Sequence, residues 1–91
     1  MMAISKVKKH PGMEYELTDH AEDAIQKRQI ATAWIEPALK KPDFREPDPV
    51  DPDLEHRLAR IAERGGRALR VILNVTTRPP RIVTLFFDRR V

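Results

Sequence analysis

RALRVILNVTTRPPRIVTLFFDRR, residues 67–90, is the stretch whose reading decides the fold. Two runs rich in Val, Ile, Leu and Phe flank TTRPP, residues 76–80. Proline brings no N–H to a β-ladder, so Pro79 and Pro80 end one strand before the next begins. Side chains alternate along a strand, which places Leu69, Val71, Leu73 and Val75 on one face of the first, and Val83, Leu85 and Phe87 on one face of the second. An antiparallel pairing of Val75 with Arg81 sets Leu73 opposite Val83, Val71 opposite Leu85 and Leu69 opposite Phe87. A slip of one residue sets Leu73 against Thr84 and Leu69 against Asp88, so apolar matching selects the first register. The other face then carries Arg70, Ile72 and Asn74 beside Ile82, Thr84 and Phe86, a mixed surface.

Immediately upstream, residues 54–64 read two ways. With Asp53 as cap, Leu54, Leu58, Ile61 and Ala62 on one stripe, and Gly65 just beyond, they form an amphipathic helix. Alternatively they form a strand entering a hairpin through Arg64-Gly65-Gly66, with Gly66 left-handed. A three-residue loop there pairs Ile61 with Leu69 and Ala59 with Val71, and sets His56 and Arg60 beside Asn74 and Arg70. Before this segment, residues 42–52 hold four prolines among aspartates and read as an extended loop.

The N-terminal half is helical in pattern. Residues 1–12, with Lys6, Lys8 and Lys9 before Pro11 and Gly12, read as a loose basic arm carrying His10. Met13, Tyr15 and Leu17 alternate as in a short edge strand. Thr18 or Asp19 caps a helix with acids in its first turn and Ala21, Ala24, Ile25 and Arg28 on its buried stripe, ending near Gln29. Thr32 caps a second short helix carrying Trp34, Ile35, Ala38 and Leu39. Pro37 distorts its start and Pro42 stops it.

A chain of 91 residues makes one domain, residues 13–91, burying roughly 60–65% of its unfolded surface. It has no cysteine, which excludes disulfides and thiolate metal sites. No apolar run approaches the roughly 20 residues of a membrane span and no signal-peptide pattern opens the chain, so the expectation is cytoplasmic, with no membrane partner. Net charge is +3, unevenly spread. Six acids and one arginine fall in residues 43–55, whereas residues 56–91 hold nine arginines, two acids and no lysine. Guanidinium groups grip phosphate as a planar fork, which makes nucleic acid a candidate partner; the plain rival is a solvated arginine-rich surface.

ELTDHAEDAIQKRQI, residues 16–30, WIEPALKKPD, residues 34–43, and the closing RALRVILNV with RIVTLFFDRR resemble a bacterial family of unknown function, domain-of-unknown-function family 4258, grouped with the RelE- and BrnT-like toxins. The resemblance spans residues 15–90. It implies an α+β fold in which two N-terminal helices pack on a small antiparallel β-sheet of three to four strands, and it turns residues 57–62 from helix to strand. The family usually carries arginine and glycine near Ala24 and Gln29, and this chain departs from it there.

Relatives on the fold cut RNA without metal, the ribose 2′-OH attacking the adjacent phosphate. That chemistry needs a base, an acid and cations for the developing charge. His20 and His56 are the histidines inside the matched region, and imidazole titrates nearest neutral pH. With Arg70 and Arg89 as phosphate clamps they make the candidate catalytic set; Arg60, Arg81 and Thr84 make the candidate RNA-binding set. Each has a plainer reading: His20 in a local hydrogen bond at its helix start, His56 as a surface residue, Arg28 pairing with an acid such as Asp88. No cofactor and no metal is called for: Gly65-Gly66 lacks the flanking helix of a phosphate loop, Ser5 is the one serine, and prolines break every calcium-loop spacing. The expected partners are RNA and a small antitoxin. The rival function is a non-catalytic protein-binding module or homodimer using the surface around Ile72, Phe86 and Trp34.

Overall fold

The computed structural model describes the backbone of residues 6–10 and 13–91 and the side chains from Glu14 onward. Much of the proposed basic arm, residues 1–5 and 11–12, and the side chain of His10 lie outside the described residues. In chain order come β1 (Lys6–His10), β2 (Met13–Leu17), α1 (Asp19–Lys27), a 3-10 turn (Thr32–Trp34), α2 (Ile35–Lys40), β3 (Phe44–Pro47), β4 (Leu54–Ile61), β5 (Arg67–Asn74) and β6 (Arg81–Asp88). The strands form one six-stranded sheet in the order β1-β2-β6-β5-β4-β3. It is mixed, because β2 runs parallel to β6 while every other pair is antiparallel.

This corrects the expected architecture. The class is α+β, but the sheet is neither small nor purely antiparallel, and two strands precede the helices. The reason is a pairing that local alternation does not encode: β2 meets β6 in parallel on one side and β1 on the other, so it is interior to the sheet and not an edge. Alternation turns Tyr15 and Leu17 into the core, where they are 0% and 2% exposed.

Helix α1 begins where sequence chemistry places it. Thr18 is the N-cap, its Oγ1 accepting from the Ala21 amide at 3.0 Å. The same hydroxyl donates to the Val83 carbonyl at 3.0 Å, and the Thr18 amide donates to the Ile82 carbonyl, so the cap also ties α1 to β6. At its other end the Ile30 amide donates to the Ile25 carbonyl and the Gln29 amide to that of Gln26, closing a Schellman motif. Gln29 holds the left-handed position of that motif at φ +53°, a conformation that favours glycine. Pro37 falls in the first turn of α2, where the missing N–H costs nothing.

Residues 54–64 follow the strand reading over residues 54–61, with a 3-10 turn at Ala62–Arg64. The turn lengthens the connection to residues 62–66, with Gly65 and Gly66 at φ +66° and +78°. Ile61 therefore pairs with Arg67 and Ala59 with Leu69, two residues from the expected partners. Part of the proline-rich loop is itself strand: β3 pairs along the far side of β4. Between β5 and β6, Leu69 opposes Phe87 and Val71 opposes Leu85 as expected. A bulge then sets Leu73 against Ile82 rather than Val83, and Asn74 against Arg81. Ile82 enters the core at 0% exposure, and Val75 lies beyond the strand at 41%.

Both helices lie on one face of the sheet. Ala21, Ala24, Ile35, Ala38 and Leu39 join Tyr15, Leu17, Leu69, Val71, Leu73, Ile82 and Leu85 in a single buried cluster. Leu58 and Ala68 are equally buried but sit outside that cluster, because alternation turns them to the opposite face. Among the described residues no helix covers that face.

Candidate nucleic-acid interface

The uncovered face is defined by pairing. Opposed residues share a face, so Leu54, His56, Leu58 and Arg60 of β4 stand beside Asn74, Ile72, Arg70 and Ala68 of β5. Phe44 and Glu46 of β3 flank Leu58 and His56. Thr84, Phe86 and Asp88 of β6 flank Ile72, Arg70 and Ala68, and past the bulge Arg81 joins them opposite Asn74. Parallel pairing brings Glu16 of β2 to Arg81.

At the centre of this face Arg70 is 8% exposed. Its Nε donates to Asp88 Oδ2 at 2.8 Å. Its Nη1 donates to Glu46 Oε2 and to His56 Nδ1, both at 2.8 Å. An arginine only donates, so Nδ1 of His56 is the acceptor and its proton sits on Nε2. That Nε2–H donates to Asp48 Oδ1 at 2.7 Å. A carboxylate thus fixes the ring on one side and a guanidinium on the other. Asp88 is 4% exposed and also accepts from the Arg90 amide and from Arg90 Nε, at 2.9 and 3.4 Å.

The charges in this chain of contacts hold one another in place. Burial works against the Arg70 cation, but the carboxylates of Glu46 and Asp88 outweigh it and its pKa is raised. The bond from Arg70 keeps Glu46 below the usual carboxylate range. Asp88 is lowered first by the Arg90 amide, against its burial, and then by Arg70. Asp48 is held down to about 2 by the Asp51 amide, the His56 ring and the Val50 amide.

The other residues singled out from the sequence fall on both sides of the sheet. Arg60 is exposed on the same face, its guanidinium 5.8 Å from the centre of the Phe44 ring and its Nη1 donating to the Gly66 carbonyl. Arg81 donates from Nε to Glu16 Oε1 at 3.0 Å, and Thr84 is half-buried beside it. Arg89 is exposed just past β6. His20 is exposed on α1, in the helical layer, so it and the Arg70–His56 pair stand on opposite sides of the sheet. Arg28 is exposed and Asp88 takes Arg70 and Arg90 instead. Trp34 also lies on the helical side, edge-on to Phe87 at 5.9 Å, with the Arg64 guanidinium 5.4 and 5.1 Å from the two rings.

Sequence reasoning missed Glu46, Asp48 and the part played by Asp88. Only Asp88 left a usable signal, since the register that opposes Leu69 to Phe87 also sets it opposite Ala68, two residues from Arg70 and on the same face. A shallow cavity of about 290 Å³ opens beside this network at the end of the β3–β4 hairpin, lined by Arg45, Glu46, Pro47, Leu54, Glu55 and Val75, with Pro52. No cluster of three metal-ligating side chains occurs among the described residues, and no helix there is long and apolar enough to cross a membrane.

No curated protein and no solved structure matches this chain. Residues 17–87, from the last residue of β2 nearly to the end of β6, match one family model, and the chain belongs to that family, the domain of unknown function DUF4258.

Proposed function

We propose that the protein binds RNA on the uncovered face of its sheet and acts there as a RelE/BrnT-like, metal-independent ribonuclease toxin partnered by a small antitoxin. One observation carries this reading. Arg60, His56, Arg70, Arg81 and Thr84 stand along a single face that no helix covers among the described residues. Guanidinium groups spread along that face suit a phosphodiester backbone, and Phe44 and Phe86 offer ring surfaces on which bases stack. Arg89, at the rim, adds charge.

Cleavage on this face would run through His56. The 2′-OH loses its proton to the imidazole and attacks the adjacent phosphate, the bond to the 5′-oxygen breaks, and that oxygen takes up the proton that the His56 imidazolium then carries. A 2′,3′-cyclic phosphate and a 5′-hydroxyl result. Asp48 orients the ring for this step, and Nδ1 becomes available when Arg70 turns toward phosphate. His20, on the helical side, takes no part in this version.

The test is end-labelled RNA with a chelator present, comparing the native chain with His56→Gln, which keeps hydrogen bonding but cannot titrate. The native chain should yield cyclic-phosphate ends. The variant should lose about 10²–10⁴ in rate while RNA affinity stays nearly unchanged. Equal residual cleavage in both would contradict the assignment. Absence of any salt-sensitive RNA binding would move the chain to the second reading, a protein-binding or dimerisation module, which the half-exposed Ile72 and Phe86 and the 46% exposed Phe44 favour.

A further inference from the structure

We infer that Arg70 is the centre of an oxyanion site that the chain fills with its own Glu46 carboxylate, and that the ligand exchanged for Glu46 is a phosphodiester. The inference rests on the RNA reading for the owner of that phosphate, though not for the site itself.

The two carboxylates on Arg70 are built differently. The Asp88 side chain is 3% exposed, takes Nε, and is fixed further by the Arg90 amide. Glu46 is 56% exposed, holds Nη1 through one oxygen, and sits on a four-residue edge strand. Exposed ion pairs are weak and give way to competing anions, whereas a buried one does not open without leaving a charge unpaired. Asp88 therefore reads as a permanent partner and Glu46 as a displaceable one.

The surroundings of Glu46 suit an incoming phosphate. Its removal leaves Nη1 of Arg70 unpaired on that side and the Nη2 pair adjacent, the planar fork that two phosphate oxygens match. His56, which shares Nη1, stands at the same spot and is the cross-strand neighbour of Glu46. Arg60 stacks over Phe44, two residues along the strand from Glu46, and Arg90 reaches Asp88 from the rim. A phosphodiester carries a single negative charge, as Glu46 does, so the exchange leaves the charge of the cluster unchanged. Glu46 thus acts as a stand-in that keeps Arg70 paired when no backbone is bound.

The experiment follows the Arg70 Nε–H signal by NMR while dimethyl phosphate is titrated in at constant ionic strength. The native chain is compared with Glu46→Gln and with Asp53→Asn, which removes an equal charge from an exposed position in the acidic loop. The expected result is a shift of the Arg70 signal in all three, with affinity about two- to fivefold tighter in Glu46→Gln and unchanged in Asp53→Asn. No Arg70 shift in Glu46→Gln, or equal tightening in Asp53→Asn, would overturn it. A parallel RNA titration separates the two claims. If the phosphate result holds while RNA fails to bind, the RNA reading falls alone. If RNA binds with the same affinity to the native chain and Glu46→Gln, this inference falls alone.

Discussion

Removing Arg70 strips a carboxylate, Asp88, of its main charge partner inside the sheet, where the side chains are 10% and 3% exposed. Breaking a buried pair on one side typically costs about 3–5 kcal/mol, because the remaining charge stays desolvated. Arg70→Ala is therefore expected to lower the free energy of unfolding by about 3–5 kcal/mol, read from urea denaturation. A loss below about 1 kcal/mol would mean that water reaches Asp88. Asp48 makes a pH-dependent contribution of predictable sign. Its carboxyl lies near 2 in the folded chain against an ordinary 3.8, so the stabilisation is complete above 3.8 and disappears as pH falls toward about 2. Stability curves of the native chain and Asp48→Asn should differ at neutral pH and converge across that window; a gap undiminished at its acid end would contradict the Asp48 hydrogen bonds. His56 and Arg70 were candidates only through the family resemblance, His56 as one of two histidines in the matched stretch and Arg70 as one of several arginines there. Glu46 and Asp48 were not candidates, because nothing local in a proline-rich loop says which strand it lies against.

Strand pairing shows where apolar matching stops being informative. Leu69 and Val71 find Phe87 and Leu85 because each match packs two large apolar side chains against the core, with Phe87 half-buried at its margin. The rule fails at Leu73, where the bulge lets Ile82 enter the core in place of Val83. A hydrogen-bonding partner from another element meets β6 at the bulge: Thr18 binds the Ile82 and Val83 carbonyls while capping α1. A single hydroxyl thus serves helix and sheet, and no scan of β5 and β6 alone reveals it. Thr18→Val keeps the shape and deletes both bonds made by the hydroxyl. Thermal unfolding should show a loss of about 1–2 kcal/mol, and amide exchange should quicken at Ala21; a variant as stable as the native chain would refute the double role. The strand β4 carries the opposite lesson. Its helical stripe is real, but Leu58 and Ile61 are buried on opposite faces of a sheet, so tertiary pairing overrode local preference. The remaining discrepancy, β2 inside the sheet, arose because five residues with one alternation carry no mark of how many neighbours they will have.

Across the whole molecule the charges separate by position. Arg60, Arg64, Arg67, Arg89 and Arg90 gather where β4 ends, β5 begins and β6 ends. The acidic loop joining β3 to β4 lies at the other end, its Asp53 carbonyl accepting from the Val75 amide. The imbalance between residues 43–55 and 56–91 was visible in the sequence; that it becomes a separation between the two ends of the strands is a property of the pairing. Such a surface orients a polyanion as well as attracting it. Arginine–phosphate pairing releases counterions, so affinity should fall linearly with salt on logarithmic axes, and removing an arginine that meets phosphate should make that slope shallower. The most direct measurement is a fluorescence-anisotropy titration of a labelled single-stranded RNA at several salt concentrations, with the native chain and an Arg60→Ala/Arg81→Ala double variant. RNA docking on the uncovered face predicts salt-dependent binding by the native chain, and both weaker binding and a shallower slope in the variant. Salt-independent binding, or a variant indistinguishable from the native chain, would contradict it.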